Sequence, residues 1–375
     1  MRLAIVTNIP APYRVPVYGR IAALPGVTLR VFYAARSEPD RQWDLPPLMH
    51  DHVFLPGRMV QRRGRYIHHN PAVWRALGEF KPDVVVTTGY NPVHLLAWLY
   101  TRTHRCRHVV MTDGTDLSEA GLGRAHRAVR RVVFAGTQAF VVAATGGVRL
   151  LQAYGVEAAR IHRSPLCANA AVDWAAQAAS PRDIDLLFSG RLVAVKNADF
   201  ALRVANGVAR RLGRRVTMAL LGHGPLRAEL QAQAQQLAAT VQVQFVGHVA
   251  QAEVPRWFLR ARVFLFPTRW DPWGVVANEA CMAGVPVLVS PHAGVAGELV
   301  RDGEAGRVLA LEEAAWIEAA AALLSDPALH ERCAAAAHSA VMPYNFDNAA
   351  AGIVDAARHA LTGRAPVPPL SRFGR

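Results

Sequence analysis

The chain has 375 residues, 52% hydrophobic and 19% charged, with a net charge of +14 at neutral pH. That length accommodates two domains of ordinary size, and the apolar content excludes a disordered chain. The charge narrows the partners to something acidic: phosphorylated substrates, an anionic bilayer or nucleic acid.

Four cysteines, Cys106, Cys167, Cys281 and Cys333, have no paired spacing. This argues against a disulfide framework or a zinc site and fits a reducing compartment. The chain opens directly on an apolar strand, without the basic, apolar and small-residue pattern of a leader. The uncharged run Val132 to Val148 is broken by Gln138 and glycines, and a spanning helix wants about 20 apolar residues. The expected location is the cytoplasm, with peripheral attachment at the inner face of the plasma membrane. Basic residues are almost all arginine; only Lys81 and Lys196 are lysine. In such a chain Lys196 calls for a chemical explanation.

In chain order, residues 3–8 read as a strand, 13–24 as a helix, 28–34 as a strand and 42–50 as irregular. A short strand over 52–57 precedes a helix over 71–80, with Asn70 as cap and Pro71 at its first position. Strands over 83–89, 108–113 and 139–145 then alternate with helices over 92–103, 123–135 and 146–154. Near-continuous apolar strands, each followed by a helix, mark a parallel sheet covered on both faces. Periodicity lapses from 163 to 183, and a second alternation follows. Its strands cover 185–190, 217–222, 241–247, 264–266, 286–290 and 306–310. Its helices cover 198–212, 225–239, 253–260, a short apolar stretch ending at Gly284, 311–324, 326–341 and 348–362.

The expected division is an N-terminal Rossmann-like domain over 1–165, a linker over 166–183 and a second such domain over 184–342. A helix over 343–362 returns to the first domain, and a disordered tail covers 363–375. The fold class is therefore α/β, two doubly wound domains facing a central cleft, where ligand sites lie by default.

The ordinary dinucleotide glycine fingerprint, the Walker loop and the nucleophile elbow are all missing, and the histidines suggest no metal site. What stands out is Gly190-Arg191-Leu192 with Lys196 four residues beyond, at the end of the second domain's first strand. A sharp glycine turn there places two cations beside a helix N-terminus, which already favours an anion. Arginine forks onto phosphate oxygens and lysine acts as a point charge. A second turn, Gly222-His223-Gly224-Pro225-Leu226, allows close backbone approach to a ligand, though a plain turn accounts for it equally well. Phe245-Val246-Gly247 ends another strand and could line a pocket for a flat ring. The segment 264–284, FLFPTRWDPWGVVANEACMAG, runs strand, loop and helix, with Asp271 and Glu279 bracketing the turn. Taken alone, its two acids read either as a ligand site or as a loop acid and a helix-surface glutamate.

In order and spacing these motifs resemble the retaining family 4 glycosyltransferases of GT-B fold. The later pattern agrees as well: Gly294, Glu298-Leu299-Val300, Asp302-Gly303 and Gly306. The resemblance covers the second domain closely and the first more loosely, through residues 6–18 and 108–113. It implies that Arg191 and Lys196 hold the diphosphate of a nucleotide sugar, UDP- or GDP-linked, without cofactor or metal. Gly190, Gly222, Gly224, Val246 and Gly247 would line the donor site. Backbone N–H groups at Gly274 and Val275 would reach the phosphate, and Glu279 would accept bonds from the ribose diol. Asp271 would face the donor sugar, and here the chain departs from the family, which usually has glutamate. It also lacks a Gly-Gly pair after the first strand, where Arg14 stands near as a substitute cation. Asp113 or Asp116 would assist or orient the acceptor.

The implied reaction moves a hexose, with retention, to a hydroxyl of a glycan or lipid-linked acceptor in cell-surface glycan assembly. A nucleotide-sugar 2-epimerase shares the fold and is the alternative. Arg58, Arg62, Arg63, Arg65 and the helix over 124–131 suggest contact with an anionic membrane. Nucleic acid is not an expected partner, since no aromatic–basic interleaving accompanies the charge.

Overall fold

The structure, a computed structural model, describes residues 1–39, 47–62, 65–119, 121–168 and 181–364. The chain folds as two units: 1–166 with 345–375, and 167–344. The first contains strands β1 (Arg2–Thr7), β2 (Thr28–Tyr33), β3 (His52–Phe54), β4 (Arg58–Arg62), β5 (Arg65–His69), β6 (Val84–Thr87), β7 (Arg107–Thr112), β8 (Ala139–Val142) and β9 (Ile161–Arg163). Its helices are α1 (Val15–Ala22), α2 (Val73–Phe80), α3 (Pro92–Thr103), the single turn α4 (Asp116–Glu119), α5 (Arg124–Ala135) and α6 (Thr145–Ala153). Seven of these strands form a parallel sheet in the order β3-β2-β1-β6-β7-β8-β9. The apolar runs of β1, β6 and β8 are buried along nearly their whole length, as strands covered on both faces must be.

The second unit contains β10 (Ile184–Ser189), α7 (Ala198–Leu212), β11 (Val216–Leu221), α8 (Arg227–Gln236), β12 (Val241–Gly247), α9 (Val254–Arg260) and β13 (Ala261–Phe266). It continues with α10 (Val275–Met282), β14 (Val287–Val289), β15 (Gly306–Val308), α11 (Glu313–Ser325) and α12 (Pro327–Val341). Its sheet runs β12-β11-β10-β13-β14-β15, parallel throughout, with Leu187 paired to Ala219 on one side and Phe264 on the other. Apolar residues of α7 and α11 share one core, where Phe200 meets Trp316 edge-on at 5.4 Å. Such a pair adds ~0.5–1.5 kcal/mol beyond its area burial.

In each sheet the chain leaves two adjacent strands in opposite directions: β1 and β6 in the first, β10 and β13 in the second. Loops part at such a switch point and leave a crevice beyond the carboxyl ends of the strands. The last helix, α13 (Phe346–Thr362), packs within the first unit against α1, β8 and β9. Gly352 is needed there, because a Cβ would lie 1.8 Å from the Arg163 carbonyl oxygen.

Strands β4 and β5 pair antiparallel, an element that the arginine-rich sequence does not announce, and one expectation is corrected. Helix α2 starts at Val73, and Asn70 does not cap it. The Asn70 amide instead donates to the carbonyls of Ala34 and Leu55, both at 2.9 Å. Those buried acceptors leaving β2 and β3 must be satisfied, and that outranks capping. Most of the expected linker (169–180), part of the irregular stretch (42–46), Arg63 and the tail from 365 lie outside the described residues.

Candidate active site

Three glycine turns at the ends of β10, β11 and β12 are laced into one layer. Gly190 N donates to Leu221 O at 3.0 Å, Gly222 N to Gly247 O at 2.7 Å, and Leu192 N to His223 O at 3.0 Å. A Cβ on Gly222 would sit 1.9 Å from Gly190 O, and one on Gly224 would sit 2.3 Å from Leu192 O. Gly222 also has φ +129, which L side chains rarely adopt. These glycines therefore pack strand ends on one another. Val246 is half-buried beside Gly247 at the end of edge strand β12.

The two loops of the switch point are joined as firmly. Asn197 sits at φ 61, a conformation asparagine tolerates better than most residues. Its amide donates to Pro267 O at 3.1 Å and its oxygen accepts from Arg269 at 3.2 Å. Arg269 N reaches Val195 O at 2.8 Å, and the Thr268 hydroxyl donates to the same carbonyl at 3.1 Å. On this frame Lys196 Nζ lies 2.5 Å from Asp271 Oδ2, each side chain about one-sixth exposed. Asp271 Oδ1 accepts from Trp273 N at 3.0 Å. The sequence assigns Lys196 to diphosphate and Asp271 to sugar as separate tasks; the structure pairs them. Arg191 is exposed at the start of the same loop.

Helix α10 opens at Gly274, whose φ of +106 and closeness to the Phe266 ring (2.3 Å from a built Cβ) exclude other residues. Val275 is its first helical residue, in the turn whose N–H groups have no intrahelical acceptor. Glu279 lies one turn further on, only 7% exposed, and accepts from Gln251 Nε2 at 2.9 Å. Burial pushes its carboxyl up to about 7, against the smaller lowering effect of that bond. Two residues of this site gave no sequence signal. Gln251 lies 28 positions from its partner, and Trp270 is 42% exposed beside Asp271.

The first unit has its own recess of about 190 Å³, beyond the ends of β1, β6 and β7. Thr7, Asn8, Tyr13, Arg14, Glu38, Thr88 and Asp113 supply its polar lining. Arg14 is buried, with Nη2 2.6 Å from Asp113 Oδ1 and Nη1 3.0 Å from the Ser164 hydroxyl. Asp113 is thus on the wall of a cavity, whereas Asp116 is held by Arg149 at 2.7 and 3.1 Å. That bond keeps the Asp116 carboxyl below its ordinary value. Glu38 escaped sequence reasoning; its Oε1 lies 2.9 Å from Nε2 of the buried His68. Elsewhere in the first unit, α5 carries exposed Arg124, Arg127 and Arg131 with exposed Val129 and Val132 and no acidic residue. Among the described residues no helix is long and apolar enough to cross a membrane, and no group of three or more candidate ligands could hold a metal ion.

Residues 173–340 match the family described as glycosyl transferases group 1, and residues 6–167 match the glycosyl transferase 4-like domain. A GDP-mannose-dependent alpha-(1-6)-phosphatidylinositol monomannoside mannosyltransferase of Mycolicibacterium smegmatis is 30% identical over 278 residues, 68% of this chain and 70% of that protein. The chain is a family 4 glycosyltransferase. A glycogen synthase of Mycobacterium tuberculosis is 34% identical over 170 residues, 44% of this chain and 41% of that protein; the match thus spans about two fifths of that relative. Among solved structures, Anabaena HepE in complex with UDP and glucose superposes with a TM-score of 0.72 at 14% identity, over 94% of this chain and 98% of that one. This places the family 4 chain in the GT-B fold, with two Rossmann-like sheets.

Proposed function

We propose that this glycosyltransferase moves a hexose from a UDP- or GDP-linked donor, with retention and without metal, to a hydroxyl of a lipid-linked or polysaccharide acceptor in cell-surface glycan assembly. The observation that supports it most is the convergence of Arg191, Lys196, Asp271 and the α10 N-terminus on the switch point of the second sheet. Breaking the bond from sugar C1 to the diphosphate leaves an oxocarbenium-like centre and a departing anion. Fixed cations and N–H groups meet charge that develops in the transition state more than in the ground state. The acceptor oxygen attacks C1 from the face the diphosphate leaves, and its proton passes to the leaving-group oxygen. The anomeric configuration is thereby kept.

Lys196 pairs with Asp271 before the donor binds and with the diphosphate afterwards. The exchange releases Asp271 toward the hydroxyls of the donor sugar. Asp113, in the recess of the first unit, orients the acceptor hydroxyl. The basic, acid-free face of α5 supports contact with an anionic membrane surface, where each cation contributes ~1 kcal/mol.

The test is nucleotide release from a panel of nucleotide sugars with and without glycan or glycolipid acceptors, with the product's anomeric coupling read by NMR. Acceptor-dependent release with the donor's anomeric configuration retained is expected. Release of free nucleotide and an epimerised sugar without any acceptor would instead identify the 2-epimerase. An inverted product would refute the mechanism.

A further inference from the structure

A second cavity, of about 350 Å³, lies at the amino ends of β6 and β7, the opposite end of the first sheet from the recess. Lys81, Pro82 and Asp83, which lead into β6, line it, as do Arg105 and Cys106, which lead into β7. Its volume falls within the ~300–1,000 Å³ of small-molecule sites, and the transferase chemistry makes no use of it.

The helix beside this cavity is inverted with respect to what helix physics asks. Gly78 also lines the cavity from inside α2, where glycine is the least favoured residue after proline. A Cβ there would meet nothing within 4 Å, so no neighbour requires the glycine. Just beyond the same helix, Lys81 sits at φ 50, the left-handed conformation that usually belongs to glycine or asparagine. Lys81 is one of the chain's two lysines, and among the described residues only Asn197 shares a positive φ without being glycine. Asn197 braces the loops of the switch point. The Lys81 N–H donates to Leu77 O at 2.8 Å, a bond that glycine would make as well. Stability forgone at two positions of one cavity wall marks a site kept for another purpose.

The remaining lining groups indicate what that purpose is. Lys81 and Arg105 are exposed, and among the described residues neither has an ion-pair partner. The single carboxylate, Asp83, has Oδ2 accepting from the backbone N–H of Arg2 at 2.7 Å. His104 stacks on Tyr100, with ring centroids 3.9 Å apart and planes 11° from parallel. The Tyr100 hydroxyl donates to Leu77 O at 3.3 Å. Burial and the nearby Asp83 push the Cys106 thiol up to about 12, so it stays neutral and is a poor nucleophile. These groups make a binding site and not a second reaction centre. Two cations against one engaged carboxylate favour an anion, held by arginine as a fork and by lysine as a point charge. We propose that this cavity binds a small organic anion, a phosphate or carboxylate on a flat body, with Lys81 and Arg105 on the charge and bare Gly78 leaving room for the body. The inference is independent of the transferase reading.

The experiment uses the full chain with phenyl phosphate, benzoate and neutral benzyl alcohol as probes, read by saturation-transfer NMR and calorimetry. Three variants accompany wild type. Lys81→Gly combined with Arg105→Gln removes both cations, and its glycine suits the left-handed backbone. Gly78→Leu fills the cavity with a strong helix former. Lys196→Ala reports on anions that bind at the donor site instead. Circular dichroism melts serve as the folding control, and the first two variants should melt no lower than wild type. Both anions should bind wild type, more weakly as salt rises, while benzyl alcohol should not. Anion affinity should fall roughly tenfold in the double variant, as loss of two exposed charge contacts implies. It should vanish in Gly78→Leu and be unchanged in Lys196→Ala. The tighter of the two anions identifies the charged group, and either order supports the proposal. Binding of neither anion, equal binding of the alcohol, unchanged affinity in the double variant or in Gly78→Leu, or loss in Lys196→Ala alone overturns it.

Discussion

Glu279 is a carboxyl group raised from its ordinary 4.5 to about 7 by burial in α10, and Glu279→Gln turns that fact into a measurement. A tenfold change in proton affinity is worth ~1.4 kcal/mol, so the ionised form destabilises the folded state by about 3 kcal/mol. Below pH 4.5 the carboxyl is protonated whether the chain is folded or not, and no penalty exists. Between pH 4.5 and 7 the unfolded chain gives up the proton while the folded chain keeps it, so stability falls across that window and is level above it. Glutamine mimics the neutral form and still accepts the bond from Gln251. The variant should match wild type at pH 4.5 and exceed it by about 3 kcal/mol at pH 8. For a unit of about 180 residues that is roughly 6–12 °C in Tm, read by scanning calorimetry at the two pH values. An offset that is the same at both, or a loss of stability at pH 8, would refute the reasoning. Ribose hydroxyls that donate to the ionised carboxylate make charge-assisted bonds, stronger than those to the neutral acid, and therefore favour the ionised form. Nucleotide affinity should weaken about tenfold per pH unit below 7 in wild type and lose that dependence in Glu279→Gln.

Lys196→Ala should cut turnover on the order of 100-fold or more, as expected for removing a transition-state cation, with the far-UV spectrum unchanged. Near-wild-type turnover would dismiss the phosphate role. Gly222→Ala should lower the stability of the second unit by ~2–4 kcal/mol, since it combines a clash with the Gly190 carbonyl and a strained φ; a thermal melt within about 2 °C of wild type would contradict the packing described. Replacing Arg124, Arg127 and Arg131 by glutamate should abolish pelleting with anionic vesicles at low salt while leaving nucleotide binding intact. Equal pelleting of variant and wild type would exclude α5 as the contact.

The strands and most helices are legible because buried parallel strands are nearly pure apolar runs and their helices are amphipathic. The donor motifs are legible because each lies within a few residues of a strand end. Features formed by residues far apart in the chain are not. Lys196 and Asp271 are 75 positions apart, and nothing in either segment states that they meet. Glu38 looks like a polar loop residue until His68, 30 positions later, fixes it to the cavity wall. Asn70 before Pro71 carries a sound capping signal, yet two buried carbonyls claim its amide. The β4–β5 hairpin hides because its exposed strand reads as a charge cluster, and the strand alternation becomes visible only through pairing.

The path of the chain through the two units has a consequence for synthesis. The helix α13 covers part of the first sheet with buried Ala349, Ala350, Ile353 and Val354, but it is translated after the whole of the second unit. Between Leu166 and Asn345 a ribosome adds about 180 residues, which takes roughly 10–40 s at ~5–20 residues per second. Throughout that interval the nascent first unit exposes the apolar surface that α13 will occupy. The second unit has every element it needs and can finish first, so the order of completion reverses the order of synthesis. A ribosome stalled just before α13 would hold a sticky, unfinished first unit, a natural substrate for chaperones.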